Sequence, residues 1–523
     1  MLRLILVLAC ALSLVPAASA QGCDGNGFAT LDVGIGVLGG TLTPSLTAAP
    51  GAPFTWLVDV APGALNFPGI GTACIAFSPA HFSLADGIAT GTPTMPTSGN
   101  FTTSMVLPSA PSLLGVAFYS QFGALDGSAP GGVALSNPRS VLMTLPDNFV
   151  GSLGTVAGFG TALHRSTSFG NGRYVLVSGG GAGSLLSPTP GMATSIYDSY
   201  THTFQAGPNL SVPRVLHTST GLNDGRILIT GGLDGVATFN WGDAEIYDPS
   251  NGTMTALTST MQGPRGGHTA TLLDDGRVLI TGGNTVFAGA AGAPSIQIYN
   301  TAHSQVDIFD PTTNTFTPGP NMLEKRAGHG AVKLPDGRVL VAGGISDGSL
   351  FPIINIPVPV YAQGAEIYDP ATNSWAPTGV LSFDRFIGNM EVLPSGNVLY
   401  CGGANGGLLS STNTADYWDA SNNTWSSPGA INLPSDVALA ASTVLPDGTV
   451  AITGGGSGVA AMFTASNQVI RFSESTFTWT ATTGLPVGLV SHSLTVLPDG
   501  CFLVVGGADP AGVAQSNGYV WNP

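Results

Sequence analysis

Charge is scarce in this chain. Lys and Arg number 14 and Asp and Glu 30 among 523 residues, so charged residues make up 8%, against about a quarter in ordinary soluble domains. The formal net charge is −16. A chain so poor in cations has no electrostatic footprint for nucleic acid, which is gripped by clustered Lys and Arg. Cysteine is nearly absent too, with five in all, no CxxC and no Cys/His cluster at zinc spacing, which argues against a structural zinc site. No stretch keeps a helical period, and beyond the first twenty residues no apolar run is long enough to span a bilayer.

What is abundant is glycine, at 74 residues, which favours turns and short strands. The first twenty residues carry Arg3, an apolar run from Leu4 to Leu14 and then VPAASA, the layout of a secretory signal cleaved after Ala20. Export follows, and the mature net charge becomes −17 once Arg3 is removed. Cys23 lies close behind and could take a lipid, although Ala20 and Gln21 suit that poorly. In an oxidising compartment Cys23 and Cys74 can pair, whereas Cys401 and Cys501 read as small buried apolar residues.

A diglycine recurs at Gly179, Gly231, Gly282, Gly343, Gly402, Gly454 and Gly506. Ahead of each stands a turn glycine between two apolar runs, the signal of a hairpin. A third run follows, ending in an aromatic residue and an acid: SIYD, EIYD, DIFD, EIYD and DYWD. Six residues further on stands Phe204, Met254, Phe316, Trp375 or Trp425, and the sixth unit reads the same way with Arg471 and Phe477. Each unit is four short strands. Such a sheet cannot bury both faces alone, so seven must stack around an axis.

The seventh unit stops at VWNP (520–523) without a fourth strand. The segment LPDNFVG (145–151) can supply it, because Phe149 stands as far before His164 as Phe477 does before His492. A strand near 146–152 would thereby close the ring and remove its open edges.

These residues resemble the kelch repeat. The resemblance covers about 146–523 and implies a seven-bladed kelch-type propeller of the galactose oxidase-like superfamily. The expected fold is all-β, with a signal at 1–20, a small β-sandwich-like domain at 21–145 and the propeller at 146–523. Residues 114–137 resemble a module attached to other exported bacterial proteins, a resemblance that implies no activity.

Five histidines, His164, His217, His268, His329 and His492, hold one repeat position. Spread around an axis they cannot converge on one metal, and the expected role is structural, bonding loop backbone. Arg214, Arg265, Arg326 and Arg385 stand three residues ahead of that position in units two to five. Glu245, Asp307, Glu366 and Asp416 head the third strand of the same four units, where the others have Ser195, Gln468 and Tyr519. Each Arg is therefore expected to pair with the acid of its own blade, leaving binding of carboxylated sugars by a cationic rim as the alternative.

The galactose oxidase-like resemblance would imply copper held by two tyrosines, one linked to a cysteine, and two histidines. Tyr400 adjoins Cys401, but no Tyr-His pair stands in a suitable loop and no further domain follows the last blade, so neither metal nor cofactor is expected. No nucleophile elbow is present, and no catalytic residue is assigned. Opposed carboxylates for glycoside hydrolysis stay open, since sequence does not show which acids face each other.

Units three and four carry long loops, 284–305 and 345–364, on the rim where blade joins blade. Phe287, Tyr299, His303, Phe351 and Tyr361 are the candidate ligand contacts there. Two functions follow: an exported non-enzymatic propeller that binds a polysaccharide or protein at the cell surface through this rim, or a secreted carbohydrate-active enzyme with a site near the axis.

Overall fold

A computed structural model describes residues 30–523 apart from 33–35, 39, 60–61, 68–70, 76–81, 87–93, 108, 110–112, 115, 130–132, 137–138, 145–147, 151–154, 157–160, 185–186, 234–241, 286–301, 351–356, 407–409 and 459–463. The leader and Cys23 lie outside the described residues, and Cys74 is placed only as part of the strand Gly71–Ile75.

The molecule is all-β: a seven-bladed kelch-type β-propeller preceded by a small β-sandwich-like domain. Each blade is one four-stranded antiparallel sheet in sequence order, from Arg165–Phe169 through Thr203–Ala206 in blade one to Ala441–Val444 through Thr478–Ala481 in blade six. In blade seven the outer strand is Asn148–Val150, which runs antiparallel to Gly518–Asn522 with Phe149 opposite Trp521. The seven first strands contact one another in a closed cycle, including Arg165–Phe169 against Ser493–Val496. They form the inner wall of an axial channel.

Second strands are apolar up to their last residue, for example Ile227–Thr230 and Val278–Thr281, and fully buried. Their alternate side chains enter the joints on either side of the blade. Leu228 packs with Val278 and Phe309 of the next blade, while Ile227 and Ile229 pack with Leu176 of the preceding one. Third-strand aromatics meet fourth-strand ones in tilted pairs about their joints, as Phe309 with Phe316 at 5.0 Å and Tyr368 with Trp375 at 5.2 Å.

The sixth unit corrects the expected register. Phe472 lies opposite Trp479, so Ser473 and Trp479 hold the repeat positions that Arg471 and Phe477 were expected to hold. Phe477 instead occupies the left-handed turn position (φ 53°) that Asn314, Asn373 and Asn423 hold in other blades. The two-residue slip came from matching an aromatic to an aromatic. The equal spacing of Phe149 and Phe477 ahead of their histidines therefore does not reflect equivalent positions.

The diglycine is explained by the joint between blades. Both glycines are left-handed in every blade, as Gly231 (φ 59°) and Gly232 (φ 100°). The second donates its N–H to the linker of the next blade: Gly232 to Arg265 O at 3.0 Å, Gly283 to Arg326 O at 2.7 Å and, across the closure, Gly507 to Thr161 O at 2.8 Å. A Cβ on Gly231 would lie 2.4 Å from Arg265 O and 2.7 Å from Cε1 of His268.

The sandwich-like domain buries Phe54, Trp56 and Phe122 in its own core. It meets the propeller at the turns of blades one and seven: Tyr119 stands edge-on to Tyr200 at 5.0 Å, and Asn522 donates to Thr144 at 2.7 Å. Those turns lie on the rim opposite the long loops. Among the described residues no helix is long and apolar enough to cross a membrane.

Substituting Gly231 by Ala should therefore cost about 2 kcal/mol or more, through both the left-handed backbone and the clash. Gly225 is equally left-handed (φ 87°) but has nothing within 4 Å of the place a Cβ would take, so Gly225→Ala should cost only about 1 kcal/mol. Urea denaturation of the two variants checks the order, and equal losses would refute the steric account.

Candidate functional site on the long-loop rim

The rim where linkers enter is built on the four buried arginines. Arg326 places Nη2 3.0 Å from Glu366 Oε1 and donates from Nη1 to Gly343 O at 3.0 Å. Arg214 does the same with Glu245 at 2.9 Å, Arg265 with Asp307 at 2.7 Å and Arg385 with Asp416 at 2.9 Å. In each blade the acid also accepts the backbone N–H of the residue three before the Arg: Ser211, Gln262, Leu323 and Ser382. All eight side chains are buried. Burial pushes the Asp307 carboxyl up and the Arg265 guanidinium down, each opposed by the other's charge. These groups staple the linker to its blade and present no cation to a ligand.

The histidines differ from the expectation of backbone bonding. Their Nε2 atoms meet hydroxyls in the preceding blade: His217 with Ser178 at 3.1 Å, His268 with Thr230 at 2.9 Å, His329 with Thr281 at 2.9 Å and His492 with Thr453 at 2.8 Å. His164 bonds Ser493 at 2.8 Å across the ring closure. For the other four the sequence carries this signal, because Ser178, Thr230, Thr281 and Thr453 stand immediately before the diglycine, whereas Ser493 lies on the first strand and Val505 precedes the diglycine of its blade. Where Ala342 replaces the hydroxyl, Gly388 replaces the histidine, and the Tyr400 ring fills that joint. Burial holds His164 and His329 at about 3 and His492 at about 4.

Around the axis on this rim, the residues just before the histidine position are left-handed in all seven blades: Leu163, Leu216, Gly267, Gly328, Ile387, Leu439 and Ser491. Their peptides are linked blade to blade, as Gly328 N–H to Gly267 O at 2.8 Å and Ile387 N–H to Gly328 O at 2.8 Å. The collar bears half-buried apolar side chains in blades one, two, five and six, a serine in blade seven, and glycine in blades three and four, the two with long insertions.

The insertion of blade four is a hairpin, Ile345–Leu350 with Pro357–Tyr361. Tyr361 is half-buried against Ile345, Phe386 and Ala404, and its hydroxyl donates to Gly406 O at 2.9 Å, so the hairpin leans on blade five. It is a packing residue more than the free anchor expected. His303 is half-buried, bonds Thr285 at 2.8 Å and pairs with Arg326 through backbone. Phe287, Tyr299 and Phe351 lie outside the described residues. Sequence reasoning missed a set of exposed apolar side chains at the upper end of blade four and its two linkers: Leu323 (58% exposed), Val360 (42%), Val380 (60%) and Phe383 (36%). No periodic signal marks them, because they fall at strand ends and in linkers.

The fold is that of a kelch propeller. A segment of 148 residues is 27% identical to galactose oxidase of Gibberella zeae, covering 26% of this chain and 18% of that protein. The chain thus spans under a fifth of the curated relative it matches. Among solved structures, a fungal alcohol oxidase of the AA5 family in complex with copper has a TM-score of 0.53 at 19% identity over 72% of this chain and 76% of that one. The structure of YjhT has a TM-score of 0.44 at 15% identity over 70% and 96%. No family model matches the chain.

The described residues do not fit copper of the kind that the oxidase likeness implies. Tyr400 and Cys401 are neighbours on one strand and point to opposite faces: Tyr400 packs in the joint with blade four and Cys401 in the joint with blade six. A link between their side chains is excluded. Burial raises both to about 12. The five repeat histidines are each committed to a separate joint, and among the described residues no three of His, Cys, Asp and Glu are grouped to hold a metal ion.

Two outcomes follow. Asp307→Ala should destabilise the protein by about 3–5 kcal/mol, because Arg265, whose ion pair is with Asp307, is left buried without an acid, whereas the double change Arg265→Met/Asp307→Leu should cost far less; urea midpoints decide, and a near-zero effect of the single change would contradict the staple. The buried imidazoles stay neutral when folded but take protons near 6.5 when unfolded. Stability should thus fall by about 1.4 kcal/mol per pH unit per histidine as pH drops from about 6.5 towards 3–4. The raised carboxyls, Glu391, Asp307 and Asp499, act in the opposite sense and are fewer. A urea midpoint that stays level between pH 6.5 and 4 would be incompatible with this.

Proposed function

We propose that the chain is a secreted bacterial kelch-repeat protein that acts by binding, engaging a polysaccharide or a protein at the cell surface through its long-loop rim. The leader at 1–20 directs export, 21–145 forms the sandwich-like domain and 146–523 the propeller. The observation that carries the reading is that four large apolar side chains, Leu323, Val360, Val380 and Phe383, are exposed on blade four and the linkers flanking it, since a concentration of exposed apolar side chains marks interaction sites. The conspicuous polar residues of the repeats support it, being committed to the scaffold. The sandwich-like domain docks on the opposite rim and leaves this one accessible.

A secreted carbohydrate-active oxidase is the second reading, favoured by the likeness to galactose oxidase and opposed by the dispersal of the described donors. A melting-temperature panel on the mature protein with neutral glycans, uronate-containing glycans and copper separates the two, because a ligand that binds only the native state stabilises it. A rise with a glycan that disappears in Leu323→Ser/Val380→Ser/Phe383→Ser supports the rim. Copper-dependent peroxide release from galactose would replace this reading with the enzymatic one.

A further inference from the structure

The first strands that wall the channel are rich in Ser and Thr, and one carboxyl among them has no counter-charge. Glu391 lies on the first strand of blade five, Asn389–Val392. Part of its surface faces the lumen, yet the inner strands surround it, so burial lifts its carboxyl to about 7 against a single opposing hydrogen bond from Ser442. That bond runs from Ser442 Oγ to Glu391 Oε1 at 2.6 Å. Asn389, two residues earlier and therefore on the same face, donates from Nδ2 to the same Ser442 Oγ at 3.0 Å and to Ala440 O at 3.1 Å.

Those two donations fix the amide's orientation. Asn389 Oδ1 then points away from both acceptors, and it is buried with no hydrogen-bond partner. The neighbouring groups offer no remedy. Lys333, on the adjoining inner strand of blade four, is held by Asp274 at 2.6 Å. Arg165 donates to His217 O at 3.1 Å. On the second strand Glu391 lies opposite Leu399, with Tyr400 and Cys401, both neutral, next along it, and the inner strand of blade six, Ala441–Val444, carries no ionisable residue.

We propose that Asn389, Glu391 and Ser442 bind a small cation in the axial channel through their oxygen atoms. An orphan carbonyl oxygen and an uncompensated carboxylate on side chains that share the Ser442 hydroxyl cost free energy when left bare, and a hard inorganic cation or a primary ammonium group can satisfy both. Inorganic cations of this class take carboxylate, amide and hydroxyl oxygens and complete their shell with water. The site lies on the axis, apart from the rim surface proposed above, and does not depend on it.

The test is the melting temperature of the mature protein at pH 8, where Glu391 is ionised. Sodium, potassium, magnesium, calcium and methylammonium chlorides are compared at equal ionic strength with tetramethylammonium chloride, whose cation lacks N–H donors. One cation should raise the wild-type value by about 2 °C or more. Glu391→Gln should abolish the rise, Asn389→Ala should reduce it, and it should fade at pH 5 as the carboxyl takes a proton. A response to an inorganic ion identifies a metal site, and a response to methylammonium alone identifies an amine site. Glu391→Gln keeps the side-chain volume and should be at least as stable as wild type without the cation. Equal responses of wild type and Glu391→Gln to every cation would overturn the proposal.

Discussion

The joint between blades rests on one backbone bond: the second glycine of each diglycine gives its N–H to a linker carbonyl of the next blade. It recurs seven times, from Gly180 to Arg214 O round to Gly507 to Thr161 O. The bond requires left-handed backbone at both glycines, and the first must lack a Cβ because the next linker passes within 3 Å of where one would stand. Glycine is the residue that satisfies both demands. In four joints the histidine then packs over the bare glycine and ties itself to the hydroxyl residue before it, so one backbone requirement explains three side-chain choices there.

The arginine staple is a second layer on the same joint. In blades two to five the guanidinium reaches its own blade's diglycine carbonyl and third-strand acid, while its backbone carbonyl takes the preceding blade's glycine N–H. Blades one, six and seven use Thr161, Val437 and Leu489 at that carbonyl and have no staple. The backbone bond is thus the constant, and the ion pair is added where the linker is held to an acid. A charge-poor chain tolerates these four ion pairs in its interior only because hydrogen bonds to linker and blade backbone surround each one.

With the joints so determined, variation is confined to the rim and the lumen. Insertions between second and third strands form ribbons in blades one, four, five and six. Tyr361 ties the ribbon of blade four to blade five, and Ser411 ties that of blade five to blade six through Gly458. The lumen carries few ionisable groups, and Glu391 is distinguished there by having no partner of opposite charge. The two regions have different chemistry, apolar at the rim beside blade four and oxygen-rich at the axis.

The repeat spacing alone determined the blade number and the all-β architecture, because a four-stranded unit with apolar faces must stack. Pairing of Arg with acid was legible as well, from the coincidence of the two sets in the same four units. Aromatic identity misled at Phe477, since a left-handed turn and a strand can both hold phenylalanine and only the register separates them. The partners of the histidines, the exposed group around Leu323 and Phe383, and the meeting of Asn389, Glu391 and Ser442 were decided by tertiary structure. Each joins residues from different blades or linkers, and the angle at which neighbouring sheets meet, which no single repeat encodes, sets which side chains come within bonding distance.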